Sequence, residues 1–180
     1  MAALTGLITG DDPAAWTSLG FSVDGGSVRV GGLRIVCDGS GGGPRGLAYG
    51  APSTDPPTRH ANGAVAVDHL VMFTETLDAT VADLARAGWE ERRRAGPPAV
   101  PVAMAFVRLG DKILEVAERP GAPARLWGLT VVVSDLDACV RDLGDRVGQV
   151  KHAVQSGRMI ATARPAHGFE TALAFMTPRP

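Results

Sequence analysis

The chain has 180 residues, of which 45% are hydrophobic and 21% are charged, and its formal net charge is −1. This composition supports one or two ordinary hydrophobic cores and excludes a disordered chain, while the near-zero charge excludes a field that collects nucleic acid or anionic lipid. No apolar run reaches the roughly 18 residues of a membrane span, and no signal-peptide pattern opens the sequence, so we expect a soluble, cytoplasmic protein.

Residues 1–50 predict an abbreviated βαβββ module. A short apolar run from Leu4 to Thr9 is followed by Asp12 and Pro13, which are typical of a helix start, and Gly20 ends the helix. Three short apolar runs follow. The paired glycines between them predict tight hairpin turns, because such turns need positive φ angles.

Residues 51–64 are rich in proline, glycine and polar residues, which predicts a linker or a flap. His60 in this segment is more typical of a solvated loop histidine than of a ligand. If the segment folds back over a binding cavity, His60 is a candidate third metal ligand. The two cysteines, Cys37 and Cys139, predict no disulfide framework.

The rest of the chain contains a repeat with an offset of 59 positions. Between His69 and Leu84, seven of sixteen residues recur at that offset, and Leu70 matches Leu129. Residues 65–118 and 126–178 each read as an apolar run, a helix-period segment and further short apolar runs, which predicts two βαβββ modules. Because a sheet covered on one face by a helix must bury its other face, we expect the two modules to pair.

These segments resemble the vicinal oxygen chelate superfamily, which includes glyoxalase I, bleomycin-resistance proteins and extradiol dioxygenases. The resemblance covers Val65 to Pro178. It rests on DHLVMF at 68–73 with the helix after it, on the hairpin FVRLGDKILEV at 106–116, and on GLTVVVSDLDACVRDLG at 128–144. It implies an α+β fold in which tandem βαβββ modules pair into a cup-shaped, partly open mixed sheet with helices outside.

The resemblance also implies a metal site. In this superfamily a histidine on the first strand and a glutamate on the last strand of each module face into the cup and hold a divalent metal. His69 and Glu115 match the first pair, but the second pair falls on Gly128 and Ala174, which have no ligating side chain. We therefore expect either no cofactor or a weakly held divalent metal.

Residue patterns suggest further site residues. Strand alternation places Glu115 beside Ile113 on an inward face, where a buried carboxylate needs a partner, and His69 is the candidate. Trp89, Phe106 and Trp127 are candidates to line the cup, and Arg158 is a candidate clamp for an acidic ligand. Three further arginines, Arg92, Arg93 and Arg94, are typical of a solvated strand or turn.

Three functions remain open from the sequence. In the first, the cup binds a small organic ligand beside a degenerate metal site. In the second, the protein is a metal-dependent lyase, isomerase or dioxygenase in which His69 and Glu115 ligate the metal or act as base and acid. In the third, it is a structural or partner-binding dimeric protein. A homodimer is expected if the N-terminal module lacks a partner.

Overall fold

The computed structural model describes residues 3–97 and 102–180. The first fifty residues form five strands and one helix: β1 (Ala3–Thr9), α1 (Pro13–Ser18), β2 (Val23–Asp24), β3 (Ser27–Val30), β4 (Leu33–Cys37) and β5 (Pro44–Gly50). The next segment comprises β6 (Ala64–Thr74), α2 (Leu77–Arg86), β7 (Glu90–Ala95), β8 (Met104–Leu109) and β9 (Lys112–Glu118). The last segment comprises β10 (Arg125–Val133), α3 (Leu136–Leu143), β11 (Lys151–His152), β12 (Met159–Thr162) and β13 (Ala172–Met176).

The last two segments build one eight-stranded mixed sheet in the order β11-β12-β13-β10-β6-β9-β8-β7. In each segment the first strand runs parallel to the last, and β6 meets β10 antiparallel at the centre. Leu70 lies directly opposite Leu129, so residues one repeat apart face each other across the centre of the sheet. This arrangement confirms the predicted α+β fold of tandem, paired βαβββ modules.

The first fifty residues form a separate five-stranded sheet in the order β2-β3-β4-β1-β5. Here too the first strand is parallel to a later one, because β1 pairs with β4. On its other side β1 pairs antiparallel with β5, as β10 pairs with β6 in the larger sheet. A strand of the same segment therefore occupies the edge that a second module would otherwise cover.

The two sheets share one hydrophobic core, and a buried carboxylate joins them. Asp11 is 1% exposed and accepts hydrogen bonds from the indole N–H of Trp16 and from the backbone N–H groups of Glu170 and Thr171. A buried carboxylate with three donors is well satisfied. Asp11 thus attaches the N-terminal segment to the last module.

The helices α2 and α3 begin after residues that are typical N-caps, but only one of these residues makes a capping bond. Asp135 caps α3 by accepting from the N–H of Ala138, as expected for an N-cap acid. Thr76 holds the matching place before α2, but its side chain makes no capping bond. The carboxylate of Glu118, at the end of β9, accepts from the N–H of Leu77 instead. In the described part of the chain, no helix has the length and apolar character needed to cross a membrane.

His60 has a structural role, because its ring bonds two residues of the N-terminal segment. The backbone N–H of Ser22 donates to its Nδ1 at 3.0 Å, and Nε2 donates to the carbonyl of Arg29 at 2.9 Å. Burial lowers the pKa of His60 from its ordinary value of 6.5, although the bond to the Arg29 carbonyl opposes this shift. Both ring nitrogens of His60 are thus hydrogen-bonded within the protein, away from the cup of the eight-stranded sheet.

We expect this histidine to make the fold acid-sensitive. Because its pKa is lower in the folded than in the unfolded chain, protons bind the unfolded chain preferentially, and stability falls as the pH drops below about 6.5. Urea unfolding between pH 7 and pH 5 should show a smaller pH dependence in His60→Gln than in the wild type. The control is His167→Gln, which removes an exposed loop histidine; an unchanged dependence in His60→Gln contradicts the prediction.

Candidate functional site

The eight-stranded sheet encloses a cavity of about 390 Å³, which we call the cup. Most of its lining is apolar and includes Val71, Phe73, Met104, Trp127, Leu129 and Met176. Three polar side chains, His69, Thr130 and Glu115, come from adjacent strands at the centre. Lys151 and His152 line it from the opposite arm of the sheet. Apolar walls with a few converging polar groups are typical of small-molecule sites.

A β-bulge shapes the centre of this site. The register between β6 and β10 shifts between the pairs His69–Thr130 and Val67–Val131, which leaves Asp68 as an extra residue. Strict alternation would send adjacent side chains to opposite faces, but a bulge re-aims them. As a result Asp68 Oδ2 lies 2.9 Å from His69 Nδ1. A matching shift in β10 leaves Trp127, one repeat later, as the extra residue.

The His69 ring is held on both sides. Its Nε2 lies 3.0 Å from the hydroxyl of Thr130 and 3.7 Å from Glu115 Oε2. Behind it, Arg158 Nη1 donates to Asp68 Oδ1 at 2.6 Å, and two other guanidinium nitrogens donate to the carbonyl of Thr177. The result is a continuous polar chain from a buried arginine to the cup.

The two carboxyl groups at this polar chain, Asp68 and Glu115, have pKa values shifted in opposite directions. Burial by itself raises the pKa of Asp68, but hydrogen bonds from His69 and Arg158, together with their charges, lower it to about 2. An ionised Asp68 favours a proton on the Nδ1 of His69. Burial raises the pKa of Glu115, while the charges of His69 and Arg93 oppose this. Glu115 is thus biased towards its protonated form.

The candidate site residues suggested by the sequence lie in different places in the structure. His69, Glu115 and Trp127 line the cup, and the Trp127 ring lies 4.4 Å from that of Phe73. Phe106 lines an adjoining cavity that also reaches His69. Trp89 lies instead against Tyr49, with ring centroids 5.2 Å apart, and is not among the described residues that line the cup.

Two site residues were not predicted from the sequence. Asp68 was missed because an alternating strand places it on the face opposite His69, and no residue pattern marks the bulge. Thr130 could have been found, because pairing the duplicated strands about Leu70 and Leu129 places it opposite His69. Arg158 was selected as a ligand clamp, but it is 3% exposed and bonded within the protein.

The residues present do not fit the metal site implied by the resemblance. A Cβ at Gly128 would lie 1.9 Å from the carbonyl oxygen of Ala172, so a histidine cannot stand there without a backbone shift. Both ring nitrogens of His69 already have partners, Asp68 and Thr130. Among residues 3–97 and 102–180, no group of three or more His, Cys, Asp or Glu side chains is placed to hold a metal ion.

Solved structures share this fold. Methylmalonyl-CoA epimerase from Mycobacterium tuberculosis is 14% identical, with a TM-score of 0.56, and the match covers 66% of this chain and 91% of that one. A variant of the Streptomyces coelicolor epimerase, in complex with 2-nitronate-propionyl-CoA, is 21% identical, with a TM-score of 0.51 and coverage of 63% and 97%. A hypothetical protein from Bacillus halodurans C-125 is 13% identical, with a TM-score of 0.53 and coverage of 63% and 94%.

These likenesses concern the fold. Methylmalonyl-CoA epimerases belong to the vicinal oxygen chelate superfamily, so the fold expected from the sequence resemblance is confirmed. No family model matches the chain, and no curated protein matches it. At 13–22% identity, a shared fold does not carry over an activity, which must be argued from the site.

Proposed function

We propose that the cup binds a small organic ligand through Glu115 and Thr130, supported by His69, and that no metal ion takes part. The observation that carries this proposal is the hydrogen-bonded chain Arg158–Asp68–His69, which ends at these two polar groups in a cavity whose lining is mostly apolar. Such a site orients a ligand by a few hydrogen bonds and holds it by burial of its apolar body.

Glu115 is the group best placed to meet the ligand. Its side chain is 18% exposed, whereas that of His69 is 7% exposed. The Glu115 carboxyl accepts hydrogen bonds when ionised and donates one when protonated, and burial, by raising its pKa, extends the pH range of the protonated form. The fold neighbours support this ligand class, since one is named in complex with methylmalonyl-CoA and NH4+ and another with 2-nitronate-propionyl-CoA.

A metal-free site is proposed because of the donors that the cup contains. Both ring nitrogens of His69 are engaged, and the other imidazole of the cup, His152, lies on the arm opposite Glu115, so the described donors do not converge on one divalent ion. The expected second pair is closed at Gly128 and apolar at Ala174.

A titration with the neutral fluorescent dye N-phenyl-1-naphthylamine tests the cup. Ala174 lines the cavity, so Ala174→Met should fill it and weaken dye binding at least about tenfold, equivalent to about 1.4 kcal/mol. Val65→Met, at a 53% exposed position of β6, is the control and should bind like the wild type. Displacement of the dye by methylmalonyl-CoA, weakened in Glu115→Ala, would identify the ligand class. Equal dye affinity in both methionine variants would refute the cup as the binding site.

A second candidate function is metal-free acid–base catalysis. His152 lines the cup from the arm opposite Glu115 and His69, so a ligand carbon between them has proton-exchanging groups on both sides. This is the arrangement that isomerisation by proton transfer needs. Exchange of the α-proton of methylmalonyl-CoA in D2O, followed by NMR, should then be lost in Glu115→Gln. Binding without exchange would leave only the binding function.

A further inference from the structure

We infer that a second cavity, adjoining the cup, binds the anionic group of the same ligand, an inference that rests on the proposed function. This arginine cavity has a volume of about 340 Å³ and is lined by Arg92, Arg93, Arg158 and Arg179. It shares His69 and Gln155 with the cup. The two cavities therefore adjoin at these residues, close enough for one ligand to contact both.

The four arginines do not have the same freedom to bind. Arg158 is committed to Asp68 and the carbonyl of Thr177, and Arg92 pairs with Glu90 at 2.7 Å. Within the described ranges, neither Arg93 nor Arg179 forms an ion pair with a carboxylate. The guanidinium of Arg93 lies 4.1 Å from the centre of the Phe106 ring, a cation–π contact that fixes its position.

The balance of charge in the arginine cavity favours an anion. Among the described residues that line it, the one acidic side chain is Asp68, whose two oxygens already bond Arg158 and His69, and even with the α-carboxylate of Pro180, which also lines it, guanidinium groups outnumber carboxylates. Glu115 lines the cup and is not among the described residues that line the arginine cavity. A concave surface with unbalanced positive charge concentrates anions, and planar guanidinium groups match the oxygens of carboxylates and phosphates.

The two cavities together define a ligand class. The cup accepts an apolar acyl or aryl body, and Arg93 and Arg179 accept a carboxylate, phosphate or sulfonate attached to it. Arg158, the clamp expected from the sequence, then acts indirectly, by holding Asp68 and hence His69 in place. Arg93 is exposed and belongs to the charged strand β7, which explains why the sequence alone favoured a solvated role.

Two dyes that differ in one sulfonate group test this inference. N-phenyl-1-naphthylamine is neutral, and 8-anilinonaphthalene-1-sulfonate has the same ring system with an anionic group. We expect the wild type to bind the sulfonate more tightly. The double variant Arg93→Gln/Arg179→Gln should lose affinity for the sulfonate about tenfold or more and keep its affinity for the neutral dye. Arg86→Gln is the matched control, because Arg86 is exposed on α2 and pairs with Asp83, away from both cavities.

Competition then identifies the anion. Octanoate and octyl phosphate are added to the sulfonate complex, and the stronger competitor indicates a carboxylate or a phosphate; failure of both to displace the dye overturns the inference. It is also overturned if the double variant binds the sulfonate like the wild type, or if Arg86→Gln loses as much affinity. If the neutral dye binds in the cup while the arginine variants make no difference, only this inference fails. If neither dye binds the wild type, the proposed function fails with it.

Discussion

Replacing Gly128 with alanine is expected to destabilise the protein by about 3 kcal/mol, the upper end of the usual cost of overpacking. The new Cβ would lie 1.9 Å from the carbonyl oxygen and 2.7 Å from the carbonyl carbon of Ala172. Ala172 is the partner of Gly128 in the parallel pairing of β10 with β13. The clash is therefore with backbone and can be relieved only by moving a central strand.

Urea unfolding measures this cost. The matched control is Gly46→Ala, which makes the same change in a strand where the new Cβ would meet only the Ile8 side chain at ordinary contact distances, the nearest atom being 3.5 Å away. We expect that variant to lie within about 0.5 kcal/mol of the wild type, as is usual for substitutions without a special mechanism. Equal stability of the two variants would contradict the claim that position 128 is closed to a side chain. It would also reopen the second half of the metal site.

Replacing Arg158 with alanine is expected to destabilise the protein by about 3–5 kcal/mol, the typical cost of removing one partner of a buried ion pair. Asp68 would remain in a site where its side chain is 8% exposed, without its cation. The carbonyl of Thr177 would also lose both of its guanidinium donors. A buried carboxylate left without its arginine, with only the hydrogen bond from His69, is the larger of these two costs.

The same variant should change the dependence of stability on pH. In the wild type the pKa of Asp68 is lowered from 3.8 to about 2, so its contribution to stability is present above pH 3.8 and is lost as the pH falls towards 2. Without Arg158 the pKa of Asp68 in the folded chain should rise, so this contribution should be smaller and the loss of stability below pH 3.8 less steep. Acid and urea unfolding test both effects, with Arg86→Ala as an exposed control, and equal stability of the two alanine variants would contradict the prediction.

A double variant separates the buried charge from the other consequences of losing Arg158. Arg158→Met combined with Asp68→Asn removes both charges of the pair and keeps an apolar side chain of similar length at position 158. Because no unpaired charge then remains buried, this double variant should be more stable in urea than Arg158→Met alone. A double variant that is no more stable would show that the Asp68 charge is not the main cost.

The sequence predicts the architecture because the repeat that produces it is visible in the residues. The repeat offset of 59 aligns Leu70 with Leu129, and these two residues face each other in the folded sheet. The pairing of His69 with Glu115 followed from strand alternation together with the superfamily resemblance. Both rest on regular periodicity, which the residue pattern encodes directly.

The remaining site features depend on departures from regularity. The bulge at Asp68 brings two adjacent side chains together, and alternation predicts the opposite. Arg158 is a candidate ligand clamp in the sequence because it lies just before an inward-facing strand, and no residue pattern connects it with Asp68, 90 positions away. Trp89 was interpreted as a cup residue because the sequence does not show which face of the sheet the chain reaches after Gly88.

The cup is expected to bind its organic ligand without a metal ion. The most direct test is a titration of N-phenyl-1-naphthylamine into protein treated with EDTA and into the same protein supplied with excess Co²⁺. We predict dissociation constants that agree within about twofold, a difference of about 0.4 kcal/mol. Binding that is lost in EDTA and restored by Co²⁺ in the wild type, but not in His69→Ala, would contradict a metal-free site.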